Sequence, residues 1–179
     1  MNRSVEDLYA LPDDGYAREL QAGFLVSEPP AGGRHGDTAL ALGSALRRHV
    51  REHRLGRVLA NDTGFVLARR PDTVRAPDVA FVTKERWENY SDPSGFLPGP
   101  PDLAVEVLSA SNTPGEMHAK VADFLAAGAR LVWVVDPEAK TVAVYRTLLA
   151  PRFVGLDGVL DGEEVVPGFT LPVAEIFED

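Results

Sequence analysis

The stretch Leu103-Ala104-Val105-Glu106-Val107-Leu108 decides how this chain is read. Both alternating sets of side chains are apolar except for one carboxylate, which describes a strand covered on both faces. Leu131-Val132-Trp133-Val134-Val135 is a second such strand, with no polar residue in it. Between them, Met117, Val121, Phe124 and Leu125 recur at helical spacing across Glu116 to Ala127, and Gly128 supplies the stop. Thr141 to Arg146 follows as a further strand, through the turn Asp136-Pro137-Glu138-Ala139.

Upstream, Asp37 to His53 reads as a helix closed by Gly56. Its apolar stripe is Ala39, Leu42, Leu46 and Val50, and Arg47, Arg51 and Arg54 lie on another face. Short strands follow at Arg57 to Ala60, Gly64 to Ala68 and Pro77 to Val82, the last two separated by the turn Arg70-Pro71-Asp72-Thr73. Lys84 to Tyr90 gives a helical turn before a Pro/Gly-rich loop. Near the start, Ser4-Val5-Glu6-Asp7 predicts a capped helix, and Pro12-Asp13-Asp14-Gly15 a turn. Arg18-Glu19-Leu20 and Phe24-Leu25-Val26 predict a hairpin around Gly23. The order of elements implies a mixed sheet with helices on its faces, an α/β or α+β fold.

With 179 residues, one core suffices. There is no Cys, which removes disulfides, thiolate zinc sites and a cysteine nucleophile and fits a reducing compartment. No secretory signal and no apolar run of membrane-spanning length is visible, so the expectation is a soluble cytoplasmic protein. The net charge is −9, but it is unevenly spread: Arg34 to Arg57 carries +4, and Leu156 to the end carries −7. A local positive field can favour an anionic ligand on an acidic protein, although a solvated helix face is the plainer reading.

Glu106 is the anomaly. A carboxylate between apolar neighbours cannot be buried ionised without a partner, because desolvation costs several kcal/mol or shifts its pKa. An exposed sheet edge or an Arg partner would resolve this, as would a metal ion. Asp78, in Ala76-Pro77-Asp78-Val79-Ala80-Phe81-Val82, stands at the mouth of another apolar strand. Alone it reads as a turn residue; paired with Glu106 it can converge on a hard cation, since Mg²⁺ takes one or two carboxylates plus water and phosphate oxygens. Lys120 flanks the apolar stripe of its helix, so its amine either reaches inward or pairs locally with Glu116 or Asp123. His35, His49, His53 and His118 show no metal-ligand spacing, and solvated positions are the expectation for the i,i+4 pair His49 and His53. No Gly-rich phosphate loop and no nucleophile elbow is present.

Three segments together resemble one family. They are Arg75-Ala76-Pro77-Asp78-Val79-Ala80-Phe81-Val82, Pro101-Asp102-Leu103-Ala104-Val105-Glu106-Val107-Leu108-Ser109, and Ala127-Gly128 with Trp133-Val134-Val135-Asp136-Pro137. The chain is similar in these to the Uma-two family, bacterial restriction endonuclease-like proteins with the PD-(D/E)xK nuclease fold. Arg18-Glu19-Leu20-Gln21-Ala22-Gly23 resembles the family's opening, and Pro167-Gly168-Phe169-Thr170-Leu171-Pro172 its ending. The resemblance implies a single restriction endonuclease-like domain over 1–179, with a central mixed sheet flanked by helices. It places the nuclease motif's Asp on Asp78 and its Glu on Glu106. The motif lysine falls on Leu108, and the family's substitute from the next helix matches Lys120. Glu19 matches an early acidic position, a further ligand or a group behind the ligands. The sequence departs from the family at Ala22-Gly23-Phe24, which lacks a flanking acid, and at Asn112-Thr113-Pro114-Gly115, which replaces an Arg-rich stretch.

The implied activity is Mg²⁺- or Mn²⁺-assisted phosphodiester hydrolysis of nucleic acid, DNA first. Asp78 and Glu106 would be the ligands, Lys120 the charge at the reacting phosphate, and Arg47, Arg51 and Arg54 backbone contacts. A homodimer is expected from the resemblance and the apolar content. The competing reading is a catalytically silent nuclease-fold module acting as a dimeric interaction or nucleic-acid-binding protein, which has no need to keep Asp78, Glu106 and Lys120 together. A two-carboxylate glycosidase lacks an aromatic sugar platform.

Overall fold

The computed structural model describes residues 2–12 and 14–178. Helix α1 (Val5–Tyr9) begins at a Ser4 capping box, as the sequence predicts. The turn expected at Pro12 to Gly15 includes Asp13, which lies outside the described residues. Strands β1 (Ala17–Gln21) and β2 (Phe24–Glu28) form the predicted hairpin, with Gly23 at φ 82°.

Helix α2 spans Gly33–Glu52 and so starts four residues before the expected Asp37. Gly32, Gly33 and Gly36 hide this first turn from propensity reasoning. Burial of Thr38, Leu42, Leu46 and Val50 holds the helix against the sheet. It ends at Glu52, one residue before the expected His53, and Gly56, expected to close it, instead opens β3 (Gly56–Ala60). A Cβ on Gly56 would lie 2.0 Å from the Val82 carbonyl oxygen, so only glycine fits beside the neighbouring strand.

Next come β4 (Phe65–Ala68), β5 (Thr73–Arg75), β6 (Val79–Thr83), α3 (Lys84–Glu88) and the two-residue β7 (Leu97–Pro98). Then follow β8 (Leu103–Val107), α4 (Pro114–Ala127), β9 (Leu131–Asp136) and β10 (Thr141–Tyr145). The chain closes with β11 (Arg152–Val154), β12 (Val159–Asp161), β13 (Thr170–Pro172) and a 3-10 turn over Val173–Ile176. Strands β5 and β7 are absent from the sequence reading. Three and two residues are too short to display an alternation.

The six-stranded sheet runs β11-β10-β9-β8-β6-β3 and is mixed, with β8 and β9 parallel across α4. Leu103, Val105 and Val107 pack with Trp133 and with Leu42, Leu46 and Val50 of α2 on one face. Ala104, Val132 and Val134 pack under Met117, Val121 and Phe124 of α4 on the other. That double cover is why every residue of β8 is buried. A second mixed sheet, β2-β1-β5-β4-β7, lies beside α4 and meets the first through Phe65, Leu97, Ala80 and Val82. The mixed α+β architecture flanked by helices is therefore present, with the expected sheet divided into two and a small β12-β13 ribbon added.

Asp72 ties α1 to the second sheet. The Val5 N–H donates to it at 2.9 Å and the Arg70 N–H at 3.2 Å, and Arg69 Nη1 lies at 3.0 Å. The Val5 N–H, against the opposing effect of burial, and then Arg70 and Arg69 hold its carboxyl below the usual aspartate range. Asp72→Ala is expected to lose roughly 1–3 kcal/mol in urea unfolding at neutral pH. A carboxyl with a lowered folded-state pKa stabilises above its unfolded value, so the difference from wild type should close as pH falls through the folded value.

Candidate active site

Pairing of β6 with β8 sets Val79 opposite Val105 and Ala80 opposite Ala104. One further step of that antiparallel register brings Asp78 opposite Glu106. The Asp78 Oδ2 accepts the Val107 N–H at 2.7 Å, so the carboxylate caps the strand end. Glu106 points to the side of Ala104, towards α4.

Glu106 is 3% exposed. Its Oε2 is 3.5 Å from Lys120 Nζ, and its Oε1 is buried with no hydrogen-bond partner. Burial pushes the Glu106 pKa well above the usual glutamate range. Lys120 opposes this, while Asp78, Glu19 and Glu28 reinforce it.

Lys120 does not pair with Glu116 or Asp123, the two local partners open to it on the helix. Glu116 caps Thr113 and Asp123 binds Arg75. The Lys120 amine is buried, 3.0 Å from Glu28 Oε1, 3.6 Å from Glu19 Oε2 and 3.5 Å from Glu106. Burial alone would lower its pKa, but the three carboxylates outweigh burial and raise it.

Glu19 sits on β1 at the heart of this cluster. It accepts the Ala76 N–H at 2.8 Å and pairs with Arg75 Nη1 at 2.8 Å. Arg75, 2% exposed, also donates from Nε and Nη2 to Asp123 Oδ2 at 2.9 and 2.6 Å. The guanidinium therefore clamps the second sheet to α4, behind Lys120. Arg75, Asp123 and Glu28 were not assigned to the site from sequence. For Arg75 the cause is the unrecognised β5, because its partner Glu19 is far away along the chain.

His35 is a second omission. On the first turn of α2, its Nε2 lies 3.2 Å from Asp78 Oδ2. That contact raises its pKa, burial opposes the rise, and the Val107 backbone adds to it. His35 and Asp78 share one end of a groove of ≈ 350 Å³ between α2 and β3, with Arg47 also lining it. Arg47, Arg51 and Arg54 are exposed and make no ion pair among the described residues, and Arg54 falls beyond the helix at φ 56°. The structure brings Asp78, Glu106, Lys120 and Glu19 into one cluster and leaves these three arginines outside it. His49 instead contacts the Pro167 carbonyl and stacks on His53.

Among the described residues, no three His, Asp or Glu side chains form a ready-made metal cluster. The donor chemistry nevertheless fits a hard divalent cation at the level of two carboxylates. Glu106 Oε1 is an orphaned buried oxygen, and four carboxylates (Glu19, Glu28, Glu106, Asp123) pair with the two cations Lys120 and Arg75. Asp78 and Glu106 are the residues that would hold such an ion, with water and substrate oxygens completing its shell.

The sequence matches the model of the Uma2 family, described as "Putative restriction endonuclease", over residues 5–174. No curated protein is significantly similar in sequence. A solved structure, that of a putative nuclease belonging to DUF820 from Anabaena variabilis, superposes with a TM-score of 0.85. It is 19% identical over 96% of each chain, a likeness of fold.

Removing Arg75 would take from buried Glu19 its closest cation and leave it only the Ala76 N–H and the Lys120 amine at 3.6 Å. Arg75→Met is expected to cost about 3–5 kcal/mol of stability in denaturant unfolding. Adding Glu19→Gln should recover part of that loss, and strictly additive losses would show that the pair is not coupled.

Proposed function

From the premise that the chain belongs to the Uma2 restriction endonuclease family, we propose that it is a metal-dependent endonuclease hydrolysing phosphodiester bonds of DNA. The observation that carries this reading is Glu106: buried in an apolar strand, 3.5 Å from the Lys120 amine, with one oxygen unpartnered among the described residues. A fold can bury an acid more cheaply as the neutral residue, so an ionisable group kept there, next to a second carboxylate at a strand mouth, has a chemical use.

A divalent cation bound by Asp78 and Glu106, Mg²⁺ or Mn²⁺, would polarise the scissile phosphate and lower the pKa of an attacking water. Lys120 presents a permanent positive charge beside Glu106, suited to the negative charge that develops on the phosphoryl oxygens. Glu19 and Glu28 hold the ammonium there, and Arg75 holds Glu19. The Val107 N–H fixes the Asp78 carboxylate. Arg47, which lines the groove, and Arg51 are exposed and make no ion pair among the described residues, and on this reading they would meet phosphates of an approaching strand. A cytoplasmic homodimer completes the reading; a monomer mass by light scattering would remove that last part.

Metal-dependent cleavage of plasmid DNA is the test. Glu106→Ala should abolish it together with Mn²⁺ binding. Lys120→Met should slow the chemical step about 10²–10³-fold while leaving Mn²⁺ affinity measurable. Because Lys120 is buried among three carboxylates, this variant is also expected to be less stable, so rates are compared on folded protein. Wild-type cleavage by Lys120→Met would remove the lysine from the mechanism.

DNA affinity should fall steeply with salt. In an Arg47→Ala, Arg51→Ala, Arg54→Ala triple variant, the log–log slope should flatten by about 0.9 for every phosphate that is no longer neutralised. An unchanged slope would show that this face is only solvated.

A further inference from the structure

Resting on the nuclease reading above, we propose that the groove between α2 and β3 is a subsite for one unpaired nucleotide of the substrate strand. The protein then binds single-stranded DNA in preference to duplex. The groove encloses ≈ 350 Å³. Small-molecule sites run from about 300 to 1,000 Å³, so this one takes a ligand of nucleotide size and not a double helix.

The lining suits a base. Gly43 closes the floor against Val79, where a Cβ would lie 3.3 Å from the valine side chain. Ala39 and Leu40 on α2 and Val58 and Ala60 on β3 form two apolar walls, of the kind that hold the faces of an extruded base. Leu40 is 68% exposed, apolar surface that a base would cover. At the rim, exposed Ser44 and Asn61 bring a hydroxyl and an amide, which serve the donors and acceptors of a base edge alike. β3 is the edge of its sheet, so no further strand closes the groove from that side.

The charges give the ligand a direction. Arg47, exposed and without an ion pair among the described residues, lies about three turns along α2 from His35 and offers its guanidinium to a phosphate. At the other end, Asp78 Oδ2 accepts the Val107 N–H at 2.7 Å and lies 3.2 Å from His35 Nε2. A carboxylate there turns a phosphate away, so the phosphate belongs at Arg47 and the base between the walls. Asp78 lines the groove and Glu106 does not, so a nucleotide seated here is a neighbour of the reacting phosphate.

Charge alone favours the duplex, whose phosphates are denser and whose binding releases more counterions per contact. A preference for single strand therefore reports the groove. The experiment uses the full chain with a metal chelator, so that binding is read without cleavage. Fluorescence anisotropy gives the Kd for a short labelled single strand and for a hairpin duplex of the same sequence. Ser44→Leu and Ala60→Leu fill the groove from its two walls at exposed positions, and circular dichroism with a thermal melt confirms the fold of each.

Wild type is expected to bind the single strand about tenfold or more tightly than the duplex, and each filled variant should bring the two affinities level. Equal or tighter binding of duplex by wild type, or a preference that survives in either folded variant, would overturn the subsite and leave the nuclease reading to its cleavage test. Wild type that binds neither DNA at low salt would overturn this inference and, if plasmid DNA is also left uncut, the nuclease reading with it.

Discussion

Glu106 cannot be solvated where β8 places it, and much of the surrounding architecture answers that constraint. Its strand is covered by α2 on one face and by α4 on the other, so no slip of a single residue would bring the carboxylate to water. Compensation must come from inside the protein. Lys120 provides it from α4, but a buried ammonium is itself costly, and Glu19 and Glu28 on the hairpin share it. Glu19 in turn requires Arg75, and Arg75 finds its second carboxylate in Asp123, one turn beyond Lys120. The second sheet is thereby fixed to α4 through charge as well as through apolar contact.

This chain of compensation has a directional consequence. Asp123 and Glu19 grip the guanidinium at the rear of the cluster, and Lys120 lies between them and Glu106. Among the described residues, Glu106 Oε1 has no hydrogen-bond partner and the Asp78 carboxylate pairs with neither Lys120 nor Arg75. A polar network that is complete at one end and incomplete at the other is expensive as mere structure, because a half-satisfied buried network is worse than an apolar core.

What was legible in the sequence follows the same physics. The runs through β8 and β9 announced themselves because two-sided burial leaves no polar residue to blur them, and Glu106 stood out against that background. Asp78 could be placed beside it because β6 is also an apolar run. Lys120 was ambiguous: its wheel position allowed an inward amine, but Glu116 and Asp123 offered local partners. Only the tertiary structure shows that Thr113 and Arg75 had claimed both. Arg75 and Glu28 were illegible because they act across sheets, through a three-residue strand that leaves no periodic trace. His35 was masked by its glycine-rich surroundings, which fall before the expected helix start at Asp37, and by a search for histidine spacing along the chain. Its partner is 43 residues away and is a carboxylate.

The acidic surface of the whole molecule bears on how a polyanion could approach this cluster. With a net charge of −9, long-range attraction has to come from a local patch, and field lines of exposed charges fade within about 8–10 Å at physiological salt. The unpaired arginines of α2 lie on the same helix as His35. Along that helix, Arg47 is twelve residues from His35, about 18 Å by the rise of an α-helix. The groove spans that distance and ends at Asp78. One helix therefore bears the exposed guanidinium groups at one end and reaches the carboxylates at the other. On the proposed reading, its rigidity fixes the separation between where a phosphate backbone is held and where a phosphodiester is cut. Carboxylates repel a phosphate unless a cation intervenes, so on that reading the constraint that buries Glu106 also makes productive approach conditional on an ion at Asp78.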